Sequence, residues 1–271
     1  MKISVITITY NAEAFLAEAM ASVIGQGYDD LEYILVDGGS TDGTLDIIRS
    51  HAARHPCIRW VSGPDAGIAD AMNKGIGLAT GEVIAHLHAD DAYLPGTLCE
   101  VARLFTLDPA ARWVTGRLRC VDGAGRRLYD TELKKGYTLR HLLHANIISH
   151  PATFVRRRVF NEVGLFDTTL RYAMDYDLWL RIVALEPPVV SDRVMAMFRV
   201  HPGSLSSMQL LAAMAEEQTI RQRYWHVLAP GERCAAELRY RRETLLIRLG
   251  LNNLRKRFMQ KLQARLHSAS R

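Results

Sequence analysis

The sequence predicts an α/β protein with a mostly parallel sheet flanked by helices and a helical extension at its C-terminus. Three observations carry this. Strand-like and helix-like runs alternate four times in the first hundred residues, the pattern of a parallel sheet covered by helices. The opening run Ile3-Ser4-Val5-Ile6-Thr7-Ile8 is rich in β-branched residues, as central strands are. Acidic residues follow three strand ends: Asp37, Asp65 and the adjacent pair Asp90-Asp91. Open parallel sheets bind ligands just outside such ends.

Taken in order, Ile3–Ile8 is the first strand, closed by Thr9-Tyr10-Asn11. Phe15, Leu16, Ala19, Met20 and Val23 recur at helical spacing, and Gly25 and Gly27 end that helix. Leu31–Val36 is the second strand. It runs into Asp37-Gly38-Gly39-Ser40-Thr41-Asp42-Gly43-Thr44, where glycines open unusual backbone conformations and Ser, Thr and Asp suit a helix N-cap. A helix from Leu45 to about Arg54 follows. Ile58–Val61 is the third strand, and Ser62-Gly63-Pro64-Asp65 its exit. Ile68–Leu78 is a helix interrupted by glycines. The apolar run from Val83, broken by His86 and His88, ends on Asp90-Asp91, and Pro95 opens a helix through Phe105. Trp113–Gly116 and Leu118–Val121 have strand character, with a hairpin turn at Asp122-Gly123-Ala124-Gly125. His150–Val155 is a further strand, Gly164–Asp167 a turn, Ala173–Ile182 a helix and Phe198–His201 a late strand. From about Gln209 the pattern is helical, broken at Pro230-Gly231.

The chain's 271 residues suffice for one large domain with an appendage. The expected division is 1–205 as the main domain, with halves 1–105 and 106–205, and 206–271 as the helical extension. Cys57, Cys99, Cys120 and Cys234 form no CxxC pair or zinc spacing. With no leader-like or membrane-spanning run, reduced thiols in a cytoplasmic protein are expected. The net charge of +5 is uneven: from Arg221 onward there are thirteen Lys or Arg against three Glu, leaving −5 for the first 220 residues. In the tail Leu251, Leu254, Phe258, Leu262 and Leu266 share one helical face, with Arg255, Arg257, Lys261 and Arg265 on the others. Such a helix can lie on an anionic bilayer, placing the protein at the inner face of the plasma membrane. It can equally pack its stripe on its own domain.

Carboxylates gathered on one sheet edge suit a divalent cation, which in turn holds phosphate. Singly, each reads as readily as a turn or cap residue. Asp175 and Asp177 open a helix, where acidic side chains favour the dipole. His150 and His201 each precede a turn, and a lone histidine is more often structural.

Five segments together resemble family 2 glycosyltransferases. They are Val5–Asn11, Val36–Thr44, Asp65–Gly75, His88–Asp91 and Met174–Arg181, in the family's order and spacing over residues 1–205. The resemblance implies a GT-A (Rossmann-like) fold and inverting transfer of a sugar from a nucleoside diphosphate sugar, most simply UDP-linked. It implies that Tyr10 and Asp37 hold the nucleobase, with Thr9 also nucleotide-binding, that Asp65 lies near base and ribose, and that Asp90 sits toward the ribose. Asp91 would ligate Mg²⁺ or Mn²⁺, with His201 as a further candidate toward metal or diphosphate. Asn73 and Lys74 fall on the same donor side, and Asp175 matches the family's general base, with Asp177 as runner-up. The family's acidic motif begins with Asp where this chain has His88, so His88 is not assigned to the metal.

The chemistry fits these residue types. A cation bridging the diphosphate offsets charge on the leaving group, and hard oxygen ligands suit Mg²⁺ or Mn²⁺. Inversion demands a base on the opposite side of the sugar, from another part of the chain. The acceptor expected is a saccharide or lipid-linked glycan of surface polysaccharide synthesis; nucleic acid is not expected as a partner. Two other readings are a non-catalytic nucleotide-sugar-binding or scaffold protein and a nucleotidyltransferase. The first would be favoured by loss of the acidic pair or base. The second would want a glycine-rich basic loop where Thr9-Tyr10-Asn11-Ala12-Glu13 stands.

Overall fold

Ile3–Thr9 forms β1, the strand on which the first half of the sheet is built. It is buried along nearly its whole length because both of its edges are paired: with β2 (Leu31–Asp37) on one side and β4 (Val83–His86) on the other, both parallel. β3 (Ile58–Ser62) adds to β2, also parallel, and its outward residues are exposed as befits an edge. The connecting helices are α1 (Leu16–Ile24), α2 (Thr44–Ala52) and α3 (Ile68–Leu78). α1 buries Leu16, Ala19, Met20 and Val23, four of the five residues whose spacing predicts it. These elements match the alternation read from the sequence.

The computed structural model describes residues 1–134, 136–201, 203–204 and 209–249. The chain divides into two units, Met1–Met208 and Gln209–Arg271.

Beyond β4 the first unit changes character. The strand expected to run to Asp90-Asp91 stops at His86; a turn follows, then β5 (Ala92–Tyr93). After α4 (Thr97–Leu107) come β6 (Trp113–Asp122), β7 (Arg127–Asp130), α5 (Leu139–His144), β8 (Thr153–Arg156), α6 (Arg157–Val163), α7 (Met174–Val183) and β9 (Val189–Val200). The sheet order is β3-β2-β1-β4-β8-β6-β9-β5, with β7 paired to β6. β8 runs antiparallel to β4 and β6, β5 antiparallel to β9, and β6 parallel to β9. The parallel sheet is thus continued by mixed strands.

Three expectations need correction here. Trp113–Gly116 and Leu118–Val121 are one strand, whose register with β9 shifts around Gly116. A Cβ on Gly116 would collide with Met195 Sδ, so the glycine admits the Met195 side chain rather than ending the strand. His150-Pro151-Ala152 is a 3-10 turn before β8, not its start; Pro151 has no N–H for a ladder. Phe198–Val200 ends a strand begun nine residues earlier at Val189, disguised in sequence by the polar Ser191-Asp192-Arg193.

In the second unit α8 (Leu210–Arg223) packs against α9 (Pro230–Arg248). Pro230 stands at the first turn of α9, where its missing N–H costs nothing. Gln218 Nε2 donates to Glu237 Oε2 across the pair (2.8 Å). The basic face from Leu251 to Leu266 lies outside the described residues. No helix among the described residues is long and apolar enough to cross a membrane. No disulfide joins any of the four cysteines, all of which lie among the described residues.

Candidate active site

The parallel register sets Thr9, the last residue of β1, beside Asp37, the last of β2, and Asp37 beside Ser62, the last of β3. Asp37 is buried and draws these ends together. Its carboxylate accepts from Thr9 Oγ1 (3.1 Å), Ser62 Oγ (2.7 Å), Ser40 Oγ, and the N–H groups of Gly39 and Ser40 (both 3.0 Å). Burial pushes this acid upward, but the hydroxyl and main-chain donors prevail and hold it below the usual carboxylate range.

Gly38 follows, and it is where two more predicted residues meet. A Cβ there would lie 2.5 Å from Asp65 Oδ2 and 3.5 Å from the Tyr10 ring. Tyr10 is 67% exposed, a large aromatic face left open at the rim. Asn11 takes a left-handed φ of 48°, which Asn tolerates. Its side-chain oxygen accepts from Thr41 N–H (2.9 Å) and its own N–H donates to Ser40 Oγ (2.9 Å), joining the loops after β1 and β2.

Asn73 and Lys74 flank this edge on α3, and the chain itself engages their polar ends. The Asn73 amide donates to Phe166 O (2.9 Å) and accepts from Phe166 N–H (3.0 Å). Lys74 Nζ donates to Pro64 O (3.0 Å) and pairs with Asp70 (2.9 Å).

Past β4 the chain folds into the turn that carries the acidic pair, closed by Asp91 N–H donating to His88 O (3.1 Å). The end of β9 clamps it. Arg199 N–H donates to Asp91 Oδ1 (3.0 Å), and Arg199 Nε to Asp90 O (3.1 Å). The guanidinium, only 3% exposed, also reaches Gly123 O and Glu18 Oε2 and lies over the Phe15 ring. One strand position pair further, on the same face, His201 Nε2 sits 3.1 Å from Asp90 Oδ2. Asp91 is 2% exposed, and its Oδ2 has no hydrogen-bond partner among the described residues. Burial, then the neighbouring Asp90, pushes its acid well above the ordinary range.

Asp175 stands in the first turn of α7. Its Oδ1 accepts from Tyr176 N–H (2.7 Å), and its Oδ2 is 3.9 Å from His150 Nδ1. Asp177 is buried and paired with Arg181 Nε (2.9 Å). Arg181 also donates to the carbonyls of Val163, Gly164 and Leu165, so this pair pins the loop leading to α7. His150 stacks on His88, with ring centres 4.9 Å apart, and so links the acidic turn to Asp175. Burial, followed by the adjacent His88, drives His86 down to about 3. Arg199, Glu18 and Phe15 are missed by motif reading. The signal was present in Phe198-Arg199-Val200-His201, where Arg and His share a face at strand period.

A parallel, Rossmann-like half with an acidic rim, continued by mixed strands and by a helix that bears another carboxylate, defines a protein of the GT-A class. The model of the family described as Glycosyl transferase family 2 matches residues 4–164, and the chain belongs to that family. It is 29% identical over 185 residues to chondroitin synthase of Escherichia coli, a match spanning 68% of this chain and 27% of that protein. It is 34% identical over 182 residues to a PGL/p-HBAD biosynthesis glycosyltransferase of Mycobacterium bovis BCG, spanning 66% of this chain and 68% of that one. In fold it is similar to residues 1–349 of S. aureus TarS in complex with UDP-GlcNAc, with TM-score 0.65, 20% identity, and coverage of 81% of this chain and 66% of that one. It is also similar to the mannosyltransferase PcManGT of Pyrobaculum calidifontis in complex with GDP-Man and Mn²⁺, with TM-score 0.62, 21% identity, and coverage of 98% and 80%.

Proposed function

We propose that this protein transfers a sugar from a nucleoside diphosphate sugar to a saccharide or lipid-linked acceptor, with inversion, in the synthesis of a surface glycan. The observation that carries this reading is that two sets of carboxylates of different character are linked through the stacked rings of His88 and His150. The Asp90-Asp91 turn is clamped by β9, and Asp175 is set apart on α7. The relatives support the setting: one is named for chondroitin synthesis and another for PGL/p-HBAD biosynthesis. The neighbours of similar fold are complexes with UDP-GlcNAc and GDP-Man.

On the donor side, Tyr10 offers an exposed ring for a base to stack on, and Asp65 stands beside it across Gly38. Asp37 acts here by holding the three strand ends and the glycine turn in place. A UDP-linked donor is the first choice.

Mg²⁺ or Mn²⁺ fits the residues present. Asp91 Oδ2 is a buried oxygen without a hydrogen-bond partner among the described residues, a costly state that a cation would relieve. Among the described residues no cluster of three His, Cys, Asp or Glu is arranged to hold a metal. Asp91 would therefore hold it, with His201 and Asp90 beside it, and the diphosphate would complete the shell, as is usual for Mg²⁺. When bound, the cation supplies charge neutralisation to the departing diphosphate.

On the acceptor side, Asp175 takes the proton of the attacking hydroxyl. The hydroxyl oxygen bonds to the anomeric carbon from the face opposite the leaving group, which inverts that carbon.

A thermal-shift screen of UDP- and GDP-sugars, with and without Mn²⁺, tests the donor reading. One donor should raise Tm, more so with Mn²⁺. Asp91→Ala should remove the Mn²⁺-dependent part and lower turnover by about 10²–10³-fold. Equal stabilisation of wild type and variant would reject the metal assignment.

A further inference from the structure

His150 is a buried histidine to which the mechanism above gives no task. It opens the 3-10 turn before β8, and its side chain is 9% exposed. His88 stacks on it at an interplanar angle of 15°. His86 lies 6.0 Å away and the Trp179 ring 5.7 Å away. These rings hem the imidazole in and fix the direction of its nitrogens. Neither nitrogen has a hydrogen-bond partner among the described residues. Buried polar atoms in that state call for an explanation. The charged group in reach is the Asp175 carboxylate, with Oδ2 3.9 Å from Nδ1.

We infer that His150 is the positioning residue of Asp175: its Nδ1–H donates to Asp175 Oδ2 and holds the carboxylate toward the acceptor hydroxyl. A modest rotation of the carboxylate, or one bridging water, closes the remaining gap. Asp175 Oδ1 already accepts from Tyr176 N–H, so the two oxygens would be held by separate donors. The ring has the right protonation for this. Burial, then His88 and His86, pushes its pKa well below the ordinary histidine value, so it is neutral near pH 7 and carries one N–H. The groups facing it are His86 and His88 from β4 and its exit, and Asp175 and Trp179 from α7. The inference rests on the reading of Asp175 as the base.

Nuclear magnetic resonance on the full chain, with labelled histidine and aspartate, tests it without any substrate. His150 should be neutral from pH 5 to 8, with its proton on Nδ1. His150→Phe keeps a ring in the stack and removes the donor. A lost donor favours the uncharged acid, so the Asp175 carboxyl should bind its proton about 3- to 10-fold more tightly. His150→Asn places an amide N–H near the Nδ1 position and should restore the wild-type titration. A proton on Nε2 in the wild type would overturn the inference, as would an Asp175 titration unchanged in His150→Phe. If His150→Phe does not fold, the wild-type tautomer decides. The base reading fails separately: wild-type turnover by Asp175→Asn would reject it whatever His150 does.

Discussion

Asp37 and Asp91 are buried carboxylates on one rim, and their surroundings give them opposite characters. Asp37 is satisfied on both oxygens by this chain's own donors, and it serves as a fastening. Asp91 accepts from one main-chain donor, and its other oxygen has no hydrogen-bond partner among the described residues, which suits it to the proposed cation. Asp37→Ala should therefore destabilise the fold by about 1–3 kcal/mol, the cost of stranding several buried donors, as measured by urea denaturation. Asp175→Asn should leave donor binding intact by calorimetry and lower transfer by about 10²–10⁴-fold. Near the other end of β2, Glu32 accepts from Ser4, Thr80 and Arg59. Burial raises its pKa, but those bonds win and bring it down to about 2. Because the folded value lies below the unfolded one, its contribution is complete above about pH 4.5 and fades as pH falls toward 2. It amounts to on the order of 1–3 kcal/mol. Glu32→Gln should flatten that part of the acid-denaturation curve; an identical curve would reject the role.

At the scale of elements, the helices and the parallel strands were legible and the mixed strands were not, for a physical reason. Parallel strands joined by helices leave two periodicities in the sequence, 2 and 3.6, separated by glycine and Asp/Ser/Thr signals. Hence β1 to β3 and α1 to α3 fall close to their expected bounds, while β4 ends at His86, short of the expected Asp90-Asp91. The mixed strands carry no such rhythm. β5 has only two residues, and β9 hides behind Ser191-Asp192-Arg193. β6 contains a glycine that reads as a break yet sits inside a strand, because its missing side chain is replaced by that of Met195. Gly116→Leu should consequently destabilise the protein by about 1–3 kcal/mol through overcrowding, seen as a lower urea midpoint. A neutral effect would mean that Met195 swings clear. The rim followed the same division: Thr9, Asp37, Tyr10 and Asp65 come together as their strand-end positions suggest. The partners of Asp90 and Asp175 needed contacts more than a hundred residues distant, or from a 3-10 turn, that no local pattern announces.

Over the whole molecule, charge is divided between the two units. The net positive charge lies from Arg221 onward while the first 220 residues are net negative. A lipid-linked acceptor would be reached most simply if that basic end met an anionic surface, at about 1 kcal/mol for each residue near it. Truncation after Arg248 should abolish co-sedimentation with phosphatidylglycerol vesicles at low salt, while full-length protein is released by added salt. Retention by the truncated protein would reject the tail as anchor. One feature of the fold also bears on engineering. Arg199 and His201, near the end of the first unit, grip the turn between β4 and β5 and brace it against Glu18 on α1. A chimera spliced near residue 105, taking its donor specificity from the segment before the splice, would pair that turn with a foreign clamp. On the proposed division into donor and acceptor halves, recombinants should keep donor preference only when the stretch 189–201 travels with the first hundred residues, which would leave the intervening chain as the place to exchange acceptor specificity.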